Sequence, residues 1–171
     1  MLEQLAFFLS IAFSCIAWGI VFAQYIWPEL RLRPRADALR PLLVLHSFRF
    51  LGLAFLIRGV VSPDLPWAFA ASAAFGDIVA AMLALLTLLF FRRGTGVLFA
   101  WIFNLWGSVD LVNAFYQANA TGLAAGQLGA AYFIPTLIVP LLLITHGLMF
   151  RVLLQHQSQP VMGETRLSHA R

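Results

Sequence analysis

Lysine is absent from this chain, and with it the chemistry that starts from a lysine amine, retinal and pyridoxal Schiff bases included. Cysteine occurs once, as Cys15, so no internal disulfide and no cysteine-built metal site can form within one chain. Charge is scarce: charged residues make up 11% of 171, against roughly 25% in a soluble domain. With 61% hydrophobic residues and a mean hydropathy of +0.87, the chain has too little polar surface for a water-soluble fold. Also missing are a glycine-rich phosphate loop, an HExxH pair and a CxxC pair.

What is present is arginine in a pattern. All of the 11 basic side chains are arginine. Arg31, Arg33, Arg35 and Arg40 fill the first gap between apolar runs, Arg92 and Arg93 the third, and Arg151, Arg166 and Arg171 end the chain. The gaps around Ser62–Pro66 and Ala118–Gln127 contain none. The net charge of +4 does not point to nucleic acid, because arginines at the ends of apolar runs suit anionic lipid headgroups instead.

About 20 apolar residues cross a bilayer as a helix, and the sequence predicts five such spans: Leu5–Trp27, Leu42–Val61, Trp67–Phe91, Val97–Gln117 and Leu128–Phe150. Pro28, Pro34 and Pro41, Ser62–Pro66, Gly94–Gly96 and the glycine-containing stretch 119–127 separate them. Leu5–Trp27 is too long for a signal-peptide core, and Glu3 stands where such a peptide carries basic residues. The expected fold is an all-α membrane protein, five helices in a compact bundle over residues 1–154. The odd/even arginine rhythm puts the N-terminus outside and the C-terminus inside a bacterial inner membrane. The polar tail 155–171 is expected to be a disordered cytoplasmic segment. Cys15 reads as a packing residue.

Ionisable residues within spans are costly and are functional candidates by default. Here they are Arg49, Arg58, Asp77 and Asp110, joined by His46, His146, Asn104 and Asn113. Depths counted at about 1.5 Å per residue give two polar layers. His46 and His146 share the inner one, with Arg49 and Asn104 a turn deeper; Asp77, Asp110 and Arg58 share the outer one. At about 100° per residue, Tyr132, Thr136 and His146 form one stripe on the fifth span. Trp106, Asp110, Asn113 and Gln117 form one on the fourth, and alanines surround Asp77 on the third. Arg49 and Arg58 point in opposite directions on a straight helix.

These positions predict an intramembrane pocket between spans two to five for a small, mostly apolar ligand. Asp77 and Asp110 would supply charge; His46, Arg49, Asn104, Asn113, Tyr132, Thr136 and His146 would supply directional polar contacts. At least one aspartate should contact an arginine, with Asp77–Arg58 the first pairing by depth. The stripe carrying His146, rather than the Leu141–Thr145 side, should face inward and bring His146 to His46. Three other readings use the same residues: a transporter or proton pathway through Asp77 and Asp110, a haem-b carrier with His46 and His146 as axial ligands, and a lipid-modifying enzyme using the acidic pair. Membrane lipids and a small apolar ligand are the expected partners.

Overall fold

The computed structural model describes residues 2–91 and 95–155. The loop arginines Arg92 and Arg93 and the expected disordered tail beyond Gln155 lie outside the described residues. Among the described residues the chain is helical, with no strand. Five helices are long and apolar enough to cross a membrane: α1 (Leu2–Leu30), α2 (Arg35–Leu56), α3 (Trp67–Phe90), α4 (Gly96–Ala120) and α5 (Ile134–Leu154). A short 3-10 segment, Ala125–Tyr132, leads into α5.

Two helices change winding next to a proline. In α1 the π turn Phe22–Ile26 lies just ahead of Pro28, and in α5 the π turn Ile134–Ile138 lies just ahead of Pro140. Each proline ring would clash with the carbonyl four residues back in an unbroken α-helix, and that carbonyl falls within the π turn.

α2 departs furthest from expectation. It begins at Arg35, with Pro41 inside it rather than before it. Pro41 deprives only the exposed Asp37 carbonyl of a partner, where water can replace it. From Phe48 to Leu56 the winding is 3-10, which rises about 2.0 Å per residue. The helix therefore reaches the far end of the bundle early. Arg58 follows it as an exposed residue in a turn, bridged to Val61. The loop end expected to be free of arginine thus carries one.

The fifth span starts at Ile134 instead of Leu128 because Gly129, at φ 53°, turns the chain. The next amide, Ala130 N–H, bonds the Val60 carbonyl at 2.8 Å. With Ser62 N–H donating to the Gln127 carbonyl at 3.0 Å and Gln127 Nε2 donating to the Asp64 carbonyl at 2.9 Å, the two loops close this end of the bundle. At the opposite, arginine-rich end, the Arg151 guanidinium lies 4.3 Å over the Trp27 ring.

Packing follows small-residue stripes. On α3, Ala70, Ala73, Ala74, Asp77, Ala80, Ala81 and Ala84 are buried at three- and four-residue spacing, which lets α2 and α4 approach closely. α1 is the least embedded: Phe7, Ile11, Ser14, Trp18 and Phe22 face the bundle, while Cys15 is exposed on its outer side instead of packed. The apolar interior is split in two. Leu39, Leu43, Phe103 and Met149 anchor one cluster toward the arginine-rich end, and Phe55, Phe69 and Leu128 the other. A polar layer lies between them.

Candidate functional site

Arg49 organises that layer, and the 3-10 winding is what aims it. With about three residues per turn, Arg49, Gly52 and Phe55 fall on one line, and all are buried. The Arg49 guanidinium donates from Nε to Asp77 Oδ1 at 2.7 Å and from Nη2 to Asp110 Oδ2 at 2.5 Å. Its Nη1 donates to the Gly107 carbonyl at 3.2 Å and meets His146 Nε2 at 3.3 Å. The arginine contact expected for the carboxylates is therefore present, but its donor is Arg49. The Asp77–Arg58 pairing does not form, because Arg58 lies beyond the helix in an exposed turn.

Three glycines make room for this packing. A Cβ on Gly52 would overlap the Asp77 carboxylate, one on Gly76 the Asp110 carboxylate, and one on Gly107 both His146 and Arg49. All three cavities are thus already filled by polar groups of neighbouring helices.

The histidines come together as well. Their ring centroids are 4.2 Å apart, and both pack on Phe103. Arginine can only donate, so His146 Nε2 accepts from Arg49 and its proton sits on Nδ1, which donates to Asn104 Oδ1 at 2.7 Å. Thr145 Oγ1 has the Leu141 carbonyl at 2.9 Å to donate to, and so accepts from His46 Nε2 at 3.0 Å. Among the described residues, His46 Nδ1 has no partner. This geometry does not fit a haem: the rings touch, leaving no gap for a macrocycle, and each Nε2 is already engaged.

The inward face of α5 is broader than one stripe. His146 and Thr136 are buried, but so are Leu142 and Thr145, on the side expected to face outward. The π turn shifts the angular register between the two halves of α5, so a constant 100° per residue fails across it. On α4, Asn104, Gly107 and Asp110 face inward while Trp106 is exposed.

A cavity of about 470 Å³ opens beside the carboxylates, on the side away from the histidines. Asp77 and Asp110 line it, together with Phe7, Phe8 and Ile11 of α1, Phe55 of α2, Phe69 of α3, and Ala114 and Phe115 of α4. Gln4 and Asn119 also border it. Of the nine expected site residues, six form the connected layer: His46, Arg49, Asp77, Asn104, Asp110 and His146. Only Asp77 and Asp110 among the nine reach the cavity. Two of the other three tie helices, Asn113 Nδ2 donating to Ser72 Oγ at 2.8 Å and Tyr132 Oη pairing with Ser10 Oγ at 3.0 Å, while Thr136 Oγ1 donates locally to the Tyr132 carbonyl at 2.7 Å. Sequence reasoning missed the whole α1 wall, since a phenylalanine facing lipid and one facing a cavity read alike in an apolar run.

A family described as a domain of unknown function (DUF8737) matches the chain over residues 6–154, which includes every residue of the polar layer. No curated protein and no solved structure matches it.

Proposed function

The chain belongs to that family of unknown function, and from the geometry of its own side chains we propose an integral membrane protein that takes a small, mostly apolar ligand into the cavity ending on Asp77 and Asp110. The observation that carries this reading is the cavity: about 470 Å³ lies within the range of roughly 300–1,000 Å³ usual for small-molecule sites. Its walls are aromatic and aliphatic, and its polar groups converge at one end, as in such sites generally.

Entry from the bilayer fits the wall. Phe8 and Phe115 line the cavity and are exposed at 65% and 44%, so the space between α1 and α4 opens sideways. α1 leans mainly on α5 and the 3-10 segment. Beyond the histidines, Leu39, Leu43, Phe103 and Met149 are fully buried and close the bundle, which favours binding over passage to the other face. The histidines and Asn104 then act behind Arg49, holding it against the carboxylates, rather than on the ligand.

In this reading the arginine-rich end lies in the cytoplasm of a bacterial cell, with the N-terminus and the cavity on the outer side of the inner membrane. Arg31, Arg33, Arg40 and Arg151 outweigh the lone Arg58. With Cys15 replaced by serine, Asp64→Cys should react with an impermeant maleimide from outside the cell and Arg33→Cys only after lysis; the reverse pattern would invert the protein.

Filling the cavity tests the function itself. Ala114→Trp puts an indole into the space without touching Arg49. It should melt close to the parent and lose binding of a fluorescent apolar probe by about tenfold or more, a difference of about 1.4 kcal/mol. Undiminished binding by a folded Ala114→Trp protein would place the ligand elsewhere.

A further inference from the structure

The charges around this cavity do not balance. One guanidinium faces two carboxylates, and each carboxylate gives it one oxygen. The remaining oxygens, Asp77 Oδ2 and Asp110 Oδ1, lie against Gly52 and Gly76. Neither accepts a hydrogen bond from any described residue, and both belong to side chains that line the cavity.

Among the described residues nothing nearby supplies a second positive charge. His146 must keep Nε2 unprotonated to accept from Arg49. His46 donates from Nε2 to Thr145, and its other ring nitrogen faces no acceptor that a proton there could serve. Among the described residues no arginine lines the cavity, and the polar side chains near its mouth, Gln4 and Asn119, are neutral. A surplus carboxylate next to an apolar space is costly unless a proton neutralises it or a cation meets it. The walls suit one: Phe7, Phe8, Phe55, Phe69 and Phe115 offer apolar surface for a ligand body and ring faces that attract an ammonium.

We propose that the ligand of this cavity is an amphiphilic organic monocation, its ammonium group held by the carboxylate oxygens of Asp77 and Asp110 that Arg49 leaves free, and its apolar body lying among the phenylalanines. This rests on the cavity being the ligand site, and it adds the charge and shape of what enters. Arg49 is then a positioning residue. It holds both carboxylates at the cavity floor while neutralising only one of them.

The test uses three probes on one carbon skeleton: phenylbutylamine, phenylbutanol and phenylbutyrate, titrated by calorimetry into the full-length protein in a neutral maltoside detergent. The amine should bind about tenfold or more tightly than the alcohol, a 1.4 kcal/mol preference, and the anion should not bind measurably. Asp110→Asn, whose amide oxygen can still accept from Arg49, should lose the preference for the amine and keep the alcohol. Ala114→Trp, which leaves both carboxylates in place, should lose amine and alcohol together.

Equal binding of amine and alcohol would overturn the cation assignment and leave the pocket reading standing. Failure of all three probes on the parent protein would overturn both. An amine preference that survives Asp110→Asn, or amine binding that survives Ala114→Trp, would show the charge to be read somewhere other than this floor. If Asp110→Asn does not fold, the probe series on the parent and on Ala114→Trp still decides the matter.

Discussion

Replacing Arg49 with methionine should cost the bundle about 3–5 kcal/mol, the penalty typical of removing one partner from a buried ion pair. The residue is 2% exposed, and its side chain bonds Asp77, Asp110, the Gly107 carbonyl and His146 together. Methionine fills a similar volume but leaves two carboxylates facing each other across an apolar interior, with Gly107 and His146 each short a donor. In detergent the expected result is a melting point lower by on the order of ten degrees, with loss of the monodisperse peak on gel filtration. Arg49→Lys should recover only part of this, because an ammonium is a point donor and cannot span both carboxylates as the planar fork does. The combination Arg49→Met, Asp77→Asn, Asp110→Asn should recover most of it, since charge and counter-charge leave together. A methionine variant that melts with the parent would mean that the layer contributes nothing to the fold.

That sensitivity comes from a residue whose partners were only half legible in the sequence. Five apolar runs, the alanine face around Asp77, and the meeting of His46 with His146 follow from hydropathy and helical spacing, because those depend on regular α-winding through α3, α4 and the later part of α5. The arginine could not be placed the same way. At α-helical spacing Arg49 and Arg58 point apart and Arg58 lies closer in depth to the aspartates. Only the 3-10 stretch Phe48–Leu56 turns Arg49 onto the line of Gly52 and moves Arg58 out of the helix. Nothing in that run marks its winding except Gly52, which has a reason to be glycine only once Asp77 is known to lie against it. The same limit applies to α5, where the π turn before Pro140 widens the buried face to include Thr145.

The glycines give the sharpest contrast between local and tertiary effects. In a helix interior Gly→Ala ordinarily stabilises by roughly 1 kcal/mol through backbone entropy. Gly147, on α5, should follow that rule in sign, because a Cβ there meets nothing within 4 Å. Gly107, on α4, should reverse it. Its Cβ would lie 2.5 Å from His146 Cε1, 2.7 Å from His146 Nε2 and 2.9 Å from Arg49 Nη1, all closer than packed atoms allow. Neither neighbour can yield cheaply: His146 is pinned by Asn104 and stacked on Phe103, and Arg49 is bonded on every side, once to Gly107's own carbonyl. Overpacking of this kind costs about 1–3 kcal/mol, and a strained charged hydrogen bond adds up to roughly 1.5–3 kcal/mol, which together exceed the gain in helix propensity. Gly107→Ala should therefore melt several degrees below the parent and Gly147→Ala at or above it, under identical detergent conditions. If both rise together, the close contact of α4 with His146 and Arg49 is not present in the folded protein.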